Sequence, residues 1–132
     1  MALIHWSKSL ETGVETIDIQ HKRLLDLLNN VHEVMVEGRD FSELDDIFKK
    51  LLDYTDFHFR HEEELFDRNN FPFASGHRKE HARLKKEVLN RMEGYRAGNM
   101  EAMDLLAFLV DWLQDHIKGV DMSFGNFIKH RN

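Results

Sequence analysis

Between His58 and His81 the chain reads HFRHEEELFDRNNFPFASGHRKEH. His58 and Glu62 stand four apart, as do His77 and His81, and on a helix residues i and i+4 lie on one face. Imidazole with carboxylate is a ligand set for a transition metal. It is the only such set available here, because the nine His are accompanied by no Cys. The same lack excludes disulfides, thiolate chemistry and iron–sulfur clusters.

Pairs of this kind need helices to hold them. Ile17, His21, Leu24, Leu28, Val31 and Met35 recur in steps of four and three, the seam of a bundle helix over about 18–37. Gly38-Arg39 ends it, and Asp40 with Glu43 forms a capping-box pattern for a second helix, about 41–67. Its seam is Leu44, Phe48, Leu51, Thr55, His58, Glu62 and Leu65, so both candidate ligands point inward. After the break at Asn69-Asn70-Phe71-Pro72 a third helix, about 73–96, carries His77, His81, Leu84 and Val88. Its seam fades at Arg91, where Met92 is the alternative inward contact, and Gly98 is a C-cap candidate. A fourth helix, about 100–120, aligns Ala102, Leu106, Leu109, Leu113, His116 and Val120. An arm (1–17) with Trp6 against the body precedes these helices. A tail helix (about 122–131) follows, with Phe124, Phe127 and Ile128 folded back. The expected fold is all-α: a single domain, 1–132, built as an antiparallel up-down-up-down four-helix bundle.

In that bundle His21, His58, Glu62, His77, His81 and His116 each lie about 17–24 residues from Gly38 or Gly98. At 1.5 Å per residue they share one level, roughly 25–35 Å from those turns. A lone seam His is ordinarily a hydrogen-bonded core residue, but a buried carboxylate without a partner is costly. Six such groups at one level leave many polar atoms unsatisfied unless a cation holds them. His5, His32, His61 and His130 fall off the seams and are expected in solvent. Asp121 is open on periodicity alone. Five helical steps leave it roughly 140° from the His116 face, where the seam puts Val120. It reaches the layer only if the helix ends or carries a π-type bulge, which Gly119 would ease.

Composition bounds the partners. A net charge of -6 and no cluster of Lys and Arg exclude nucleic acid as the main partner. The start, MALIHWSKSL, lacks the apolar run of a signal peptide. The longest apolar run, Leu105 to Val110, is too short for membrane insertion, and a cytoplasmic location is expected.

Taken together, these motifs resemble the hemerythrins, specifically the stand-alone bacterial ones. The carriers are His21 in Ile-Asp-Ile-Gln-His-Lys, His58-Phe-x-x-Glu62-Glu, Phe-Pro before His77-x-x-x-His81, and His116-x-x-x-x-Asp121. The resemblance runs from the Trp6 arm to the tail. It implies Asp121 as a seventh ligand, with two iron ions as cofactor joined by a bridging oxo or hydroxo group. His77, His81 and His116 would hold one iron, His21 and His58 the other, and Glu62 and Asp121 would bridge them. Phe124 stands where relatives often have Tyr, which bears on a tail hydrogen bond and not on the iron site.

Two octahedral ions offer twelve positions, of which five imidazoles, two bridging carboxylates and one bridging oxygen take eleven. The vacancy falls on the iron with two His, and the resemblance implies that dioxygen binds there reversibly. Neutral imidazoles in place of the carboxylates of ferritin-like sites should stabilise high-valent iron less, favouring carriage over activation. Leu24, Phe59, Trp112, Leu113, Ile117 and Val120 are the expected dry wall of the oxygen pocket. The chain is thus expected to be no enzyme but an oxygen store, or a carrier to an oxygen-consuming enzyme, working as a monomer. The rivals are an oxygen or iron sensor and a di-iron enzyme acting on peroxide or nitric oxide. A sensor needs an output domain, and such an enzyme needs an acid–base group in what reads as an apolar wall. A zinc hydrolase built on His77-Arg-Lys-Glu80-His81 would need Glu80 inward, and Glu80 points off the seam.

Overall fold

The computed structural model describes residues 4–38 and 41–130, the side chains of Phe41 and Val120 excepted. Four long helices form the body: α1 (Glu15–Val36), α2 (Phe41–Arg68), α3 (Ala74–Arg96) and α4 (Ala102–His116). Each packs on its chain neighbours, and α4 closes the ring against α1, which makes an antiparallel four-helix bundle. No strand forms among the described residues. Asp40, the expected cap of α2, lies outside them, as do the Val120 side chain and the end of the tail.

The seams fill the interior. Leu24, Leu28, Val31, Phe48, Leu106, Leu109 and Leu113 are buried in the larger apolar cluster, on the side of Gly38 and Gly98. At the opposite end Ile17, Phe66, Phe71 and Phe124 form a second one. Met92 takes the inward position on α3, while the Arg91 guanidinium lies 4.0 Å over the Phe108 ring. Between the clusters runs the polar layer.

The turns follow from local chemistry. After α3, Gly98 (φ +81°) donates to Tyr95 O at 3.1 Å, and Asn99 donates to Gly94 O at 2.8 Å. This is a Schellman closure, whose left-handed residue glycine fills without a Cβ penalty. The same closure ends α2 with Asn70 (φ 53°) in the left-handed place and Phe71 donating to Phe66 O at 3.0 Å.

The arm is pinned along its length. The Asn29 side chain pairs with both the N–H and the C=O of Ile4, at 2.9 and 2.8 Å. Trp6 packs on the main core with Lys22 Nζ 5.1 Å over its ring. Asp18, in the first turn of α1, accepts from Thr12 N, Thr12 Oγ1 and Gly13 N. Thr12 then abuts the tail helix α5 (Met122–Lys129) at Gly125, where a Cβ would stand 2.2 Å from Thr12 O. Only glycine permits that approach.

Candidate metal centre

An irregularity directly after α4 completes the site. From Ile117 to Asp121 the chain is π-helical, and Met122 N donates to Ile117 O, five residues back. A turn that closes with an extra residue brings Asp121 back to the His116 face, and His116 Nε2 lies 3.1 Å from Asp121 Oδ2. Gly119 falls within this segment.

All seven candidate ligands are buried in one layer, with Glu62, Asp121, His21 and His58 fully enclosed. Asp121 Oδ2 is 2.7 Å from His21 Nε2, and Asp121 Oδ1 is 3.2 Å from His77 Nε2. Glu62 Oε1 lies 3.1 Å from His58 Nε2, 3.3 Å from His81 Nε2 and 3.4 Å from His116 Nε2. Groups about 2.0–2.2 Å from a common ion stand about 3 Å apart when cis, and these contacts have that spacing.

Two groups of ligand atoms each gather within 4.8 Å: His21, His58, Glu62 and Asp121, and then Glu62, His77, His81 and Asp121. Both carboxylates belong to both groups. The layer therefore has two metal-competent centres that share their anions.

Hydrogen bonding alone does not satisfy it. His58 Nδ1 donates to Gln20 Oε1 at 2.7 Å, and His81 Nδ1 donates to Glu63 Oε2 at 3.2 Å. Each ring, if neutral, then turns a bare Nε2 lone pair toward carboxylate oxygen. His21 Nε2 and His58 Nε2 face each other at 3.0 Å, where at most one can donate. Glu62 Oε2, Asp121 Oδ2 and His81 Nε2 are enclosed without a hydrogen bond of acceptable geometry. Convergent lone pairs of this kind need a cation, which a metal ion or protons can supply.

Without a metal, protons fill that role. Burial disfavours charge on His58, but Glu62 and Asp121 outweigh it and raise its pKa to about 9. His116 is likewise opposed by burial and lifted by Asp121 and Glu62, to about 10. Burial and Asp121 push Glu62 upward, yet His58 and His116 hold it at about 2. Asp121 also sits well below the usual carboxylate range, through His116, His21 and His58 against the cost of burial.

Around the layer Leu24, Leu113 and Ile117 are fully buried. The Phe59 ring stacks on His81 (3.9 Å between centroids, 6°), and that of Trp112 lies parallel to His116 at 6.0 Å. Although Phe59 adjoins His58 in sequence, the two rings are 6.1 Å apart, so Phe59 and Trp112 cover the His81–His116 side. Gln20 and Glu63 are the partners that sequence reasoning did not assign. Gln20 had one available signal, a place on the same broad inward face of α1 as Ile17, Leu24 and Leu27. Glu63 had none, because its partner lies on α3. Glu63 is itself held by Arg78, whose Nε is 3.4 Å from Glu63 Oε1. The Glu80 carboxylate turns outward to Arg83 at 3.2 Å, away from the role a zinc hydrolase would give it.

The model of the hemerythrin HHE cation binding domain matches residues 12–128. The chain belongs to the hemerythrin family. A bacteriohemerythrin of Stenotrophomonas maltophilia is 32% identical over 129 residues, covering 98% of this chain and 84% of that one. One of Methylococcus capsulatus is 32% identical over 127 residues, covering 95% and 96%. The crystal structure of a wild-type hemerythrin superposes with a TM-score of 0.85 at 31% identity, covering 95% of this chain and 97% of that one. The hemerythrin fold and a cluster fit for two metal ions thus occur together in this chain.

Proposed function

We propose that this hemerythrin binds dioxygen reversibly at a pair of iron ions in the polar layer. The observation that carries the reading is the sharing of Glu62 and Asp121 between two metal-competent groups, one completed by His21 and His58 and the other by His77 and His81. His116, whose ring is 5.1 Å from that of His81 and 6.4 Å from that of His58, is assigned to the second group. With six-fold coordination and one bridging oxygen, these residues would leave a single open position, on the ion held by two imidazoles. When bound, the iron pair supplies the electrons that dioxygen takes up and returns.

The chain's residues set the conditions. Gln20 holds His58 in the tautomer that presents Nε2, and Glu63 does the same for His81. Leu24, Leu113 and Ile117 exclude water from the layer, while Phe59 and Trp112 cover the three-His side. No acid–base group besides the ligands' own partners stands among these residues, which favours carriage over peroxide or nitric oxide chemistry. No described helix is long and apolar enough to cross a membrane. On this reading the chain stores dioxygen, or delivers it to an oxygen-consuming enzyme, as a monomer in the cytoplasm.

Anaerobic loading with Fe(II), followed by cycles of oxygen and vacuum, tests the proposal. Two irons per chain and a visible absorption that appears and disappears with oxygen are expected. One-way oxidation in the first cycle would overturn reversible carriage.

A further inference from the structure

The five imidazoles differ at the nitrogen turned away from the carboxylates. In His58 and His81 it donates to Gln20 and Glu63, while in His21 and His116 it is enclosed without a partner. His77 belongs to neither class. Its one side-chain hydrogen bond among the described residues is made by Nε2, and its Nδ1 is not enclosed. His77, its side chain 2% exposed, lines a surface depression of about 300 Å³ together with Phe71, Phe73, Gly76, Glu80 and Ser123. His77 Nε2 stands 3.2 Å from Asp121 Oδ1, and the His77 and His81 ring centroids are 4.9 Å apart.

A hydrated divalent cation cannot cross an apolar wall, because losing its water without replacement costs far more than folding can offset. It must exchange water for protein ligands one at a time. His77 is placed for that exchange. It sits in the first turn of α3 and lines the depression beside Glu80, whose carboxylate is paired with Arg83. We infer that this depression is the port through which divalent metal ions enter and leave the centre, with His77 as the ligand that hands them in. The inference rests on the two-metal reading of the layer.

Plugging the port should change rates and not affinity. A Cβ at Gly76 meets nothing within 4 Å, so Gly76→Phe can lay a ring in the depression without strain. Ser123→Phe does the same from the opposite wall, and Ser75→Phe, next door but not part of the lining, is the control. Co(II) uptake by the metal-free chain is followed by absorption in stopped flow, and its removal by a chelator is followed in the same way. Both plugs should slow uptake and removal several-fold and by the same factor, with two ions bound at saturation and melting temperature unchanged. Rates in both plugs equal to the control would overturn the port. An unmodified chain that binds no Co(II) would instead overturn the metal pair on which the port depends.

Discussion

The side-chain oxygen of Gln20 accepts a 2.7 Å hydrogen bond from Nδ1 of His58, across the α1–α2 interface. That bond leaves Nε2 as the only nitrogen of His58 that can serve the centre. Such partners are typically worth 10–100-fold in metal affinity. Gln20→Leu should therefore weaken the position held by His21 and His58 by about that factor while sparing the other. Titration of metal per chain checks this: one tight and one weak ion are expected. Glu63→Ala should weaken the opposite position, and Glu63→Gln, which keeps an acceptor, should restore most of it.

The metal-free protein should lose stability as pH rises above neutrality. His58 and His116 have folded pKa values of about 9 and about 10 against an ordinary 6.5. Their contribution is full below 6.5 and disappears as pH climbs through the folded values. Glu62, lowered to about 2, and Asp121, also lowered, contribute above their ordinary values near 4 and lose that contribution in acid. From these groups the metal-free chain should melt highest between about 4.5 and 6.5. Metal competes with those protons, so the stabilisation added by Zn(II) should grow over the range in which the metal-free chain weakens. Thermal melts with and without Zn(II) across pH measure both trends, and a metal-free melting temperature that rises from 6.5 to about 9 would contradict the imidazolium assignment.

Leu24→Ala and Ile117→Ala should each speed autoxidation of the oxygenated iron protein without loss of iron. Both side chains are fully buried, so each truncation also costs about 2–5 kcal/mol of stability. Decay of the oxygenated spectrum, with iron content measured in parallel, separates leakage of water from loss of the centre. Unchanged decay in both variants would remove these residues from the oxygen pocket.

Gly125→Ala should destabilise the chain by about 1–3 kcal/mol, the usual range for overpacking. The added carbon would meet a backbone oxygen, Thr12 O, and not the movable end of a side chain. Denaturant unfolding gives the magnitude, and faster proteolysis of the arm ahead of Thr12 would place the damage.

The bundle was legible because its seams are long: each of α1 to α4 buries residues at steps of three and four, and periodicity reports that directly. The level shared by His21, His58, Glu62, His77, His81 and His116 followed from counting residues to the turns. Asp121 did not follow, since a π turn breaks the periodicity that makes the other six visible. Nor did Gln20 and Glu63, whose partners lie on other helices and depend on how neighbours are rotated. Phe59 illustrates the same limit, being next to His58 in the chain yet stacked on His81 across the bundle.

The five-residue step from His116 to Asp121 has a bearing on how this chain tolerates change in length. A π turn is an α turn carrying one surplus residue, so His116 and Asp121 stand where a four-residue step would also put them. Loss of Gly119 would leave the aspartate on the face of His116 and the tail's Phe124 and Gly125 in the same phase relative to it. A one-residue deletion between His58 and Glu62, or between His77 and His81, would instead rotate the second of the pair by about 100° relative to the first. Segment 117–121 is thus a stretch between two candidate ligands where one residue could be lost with both kept on one face.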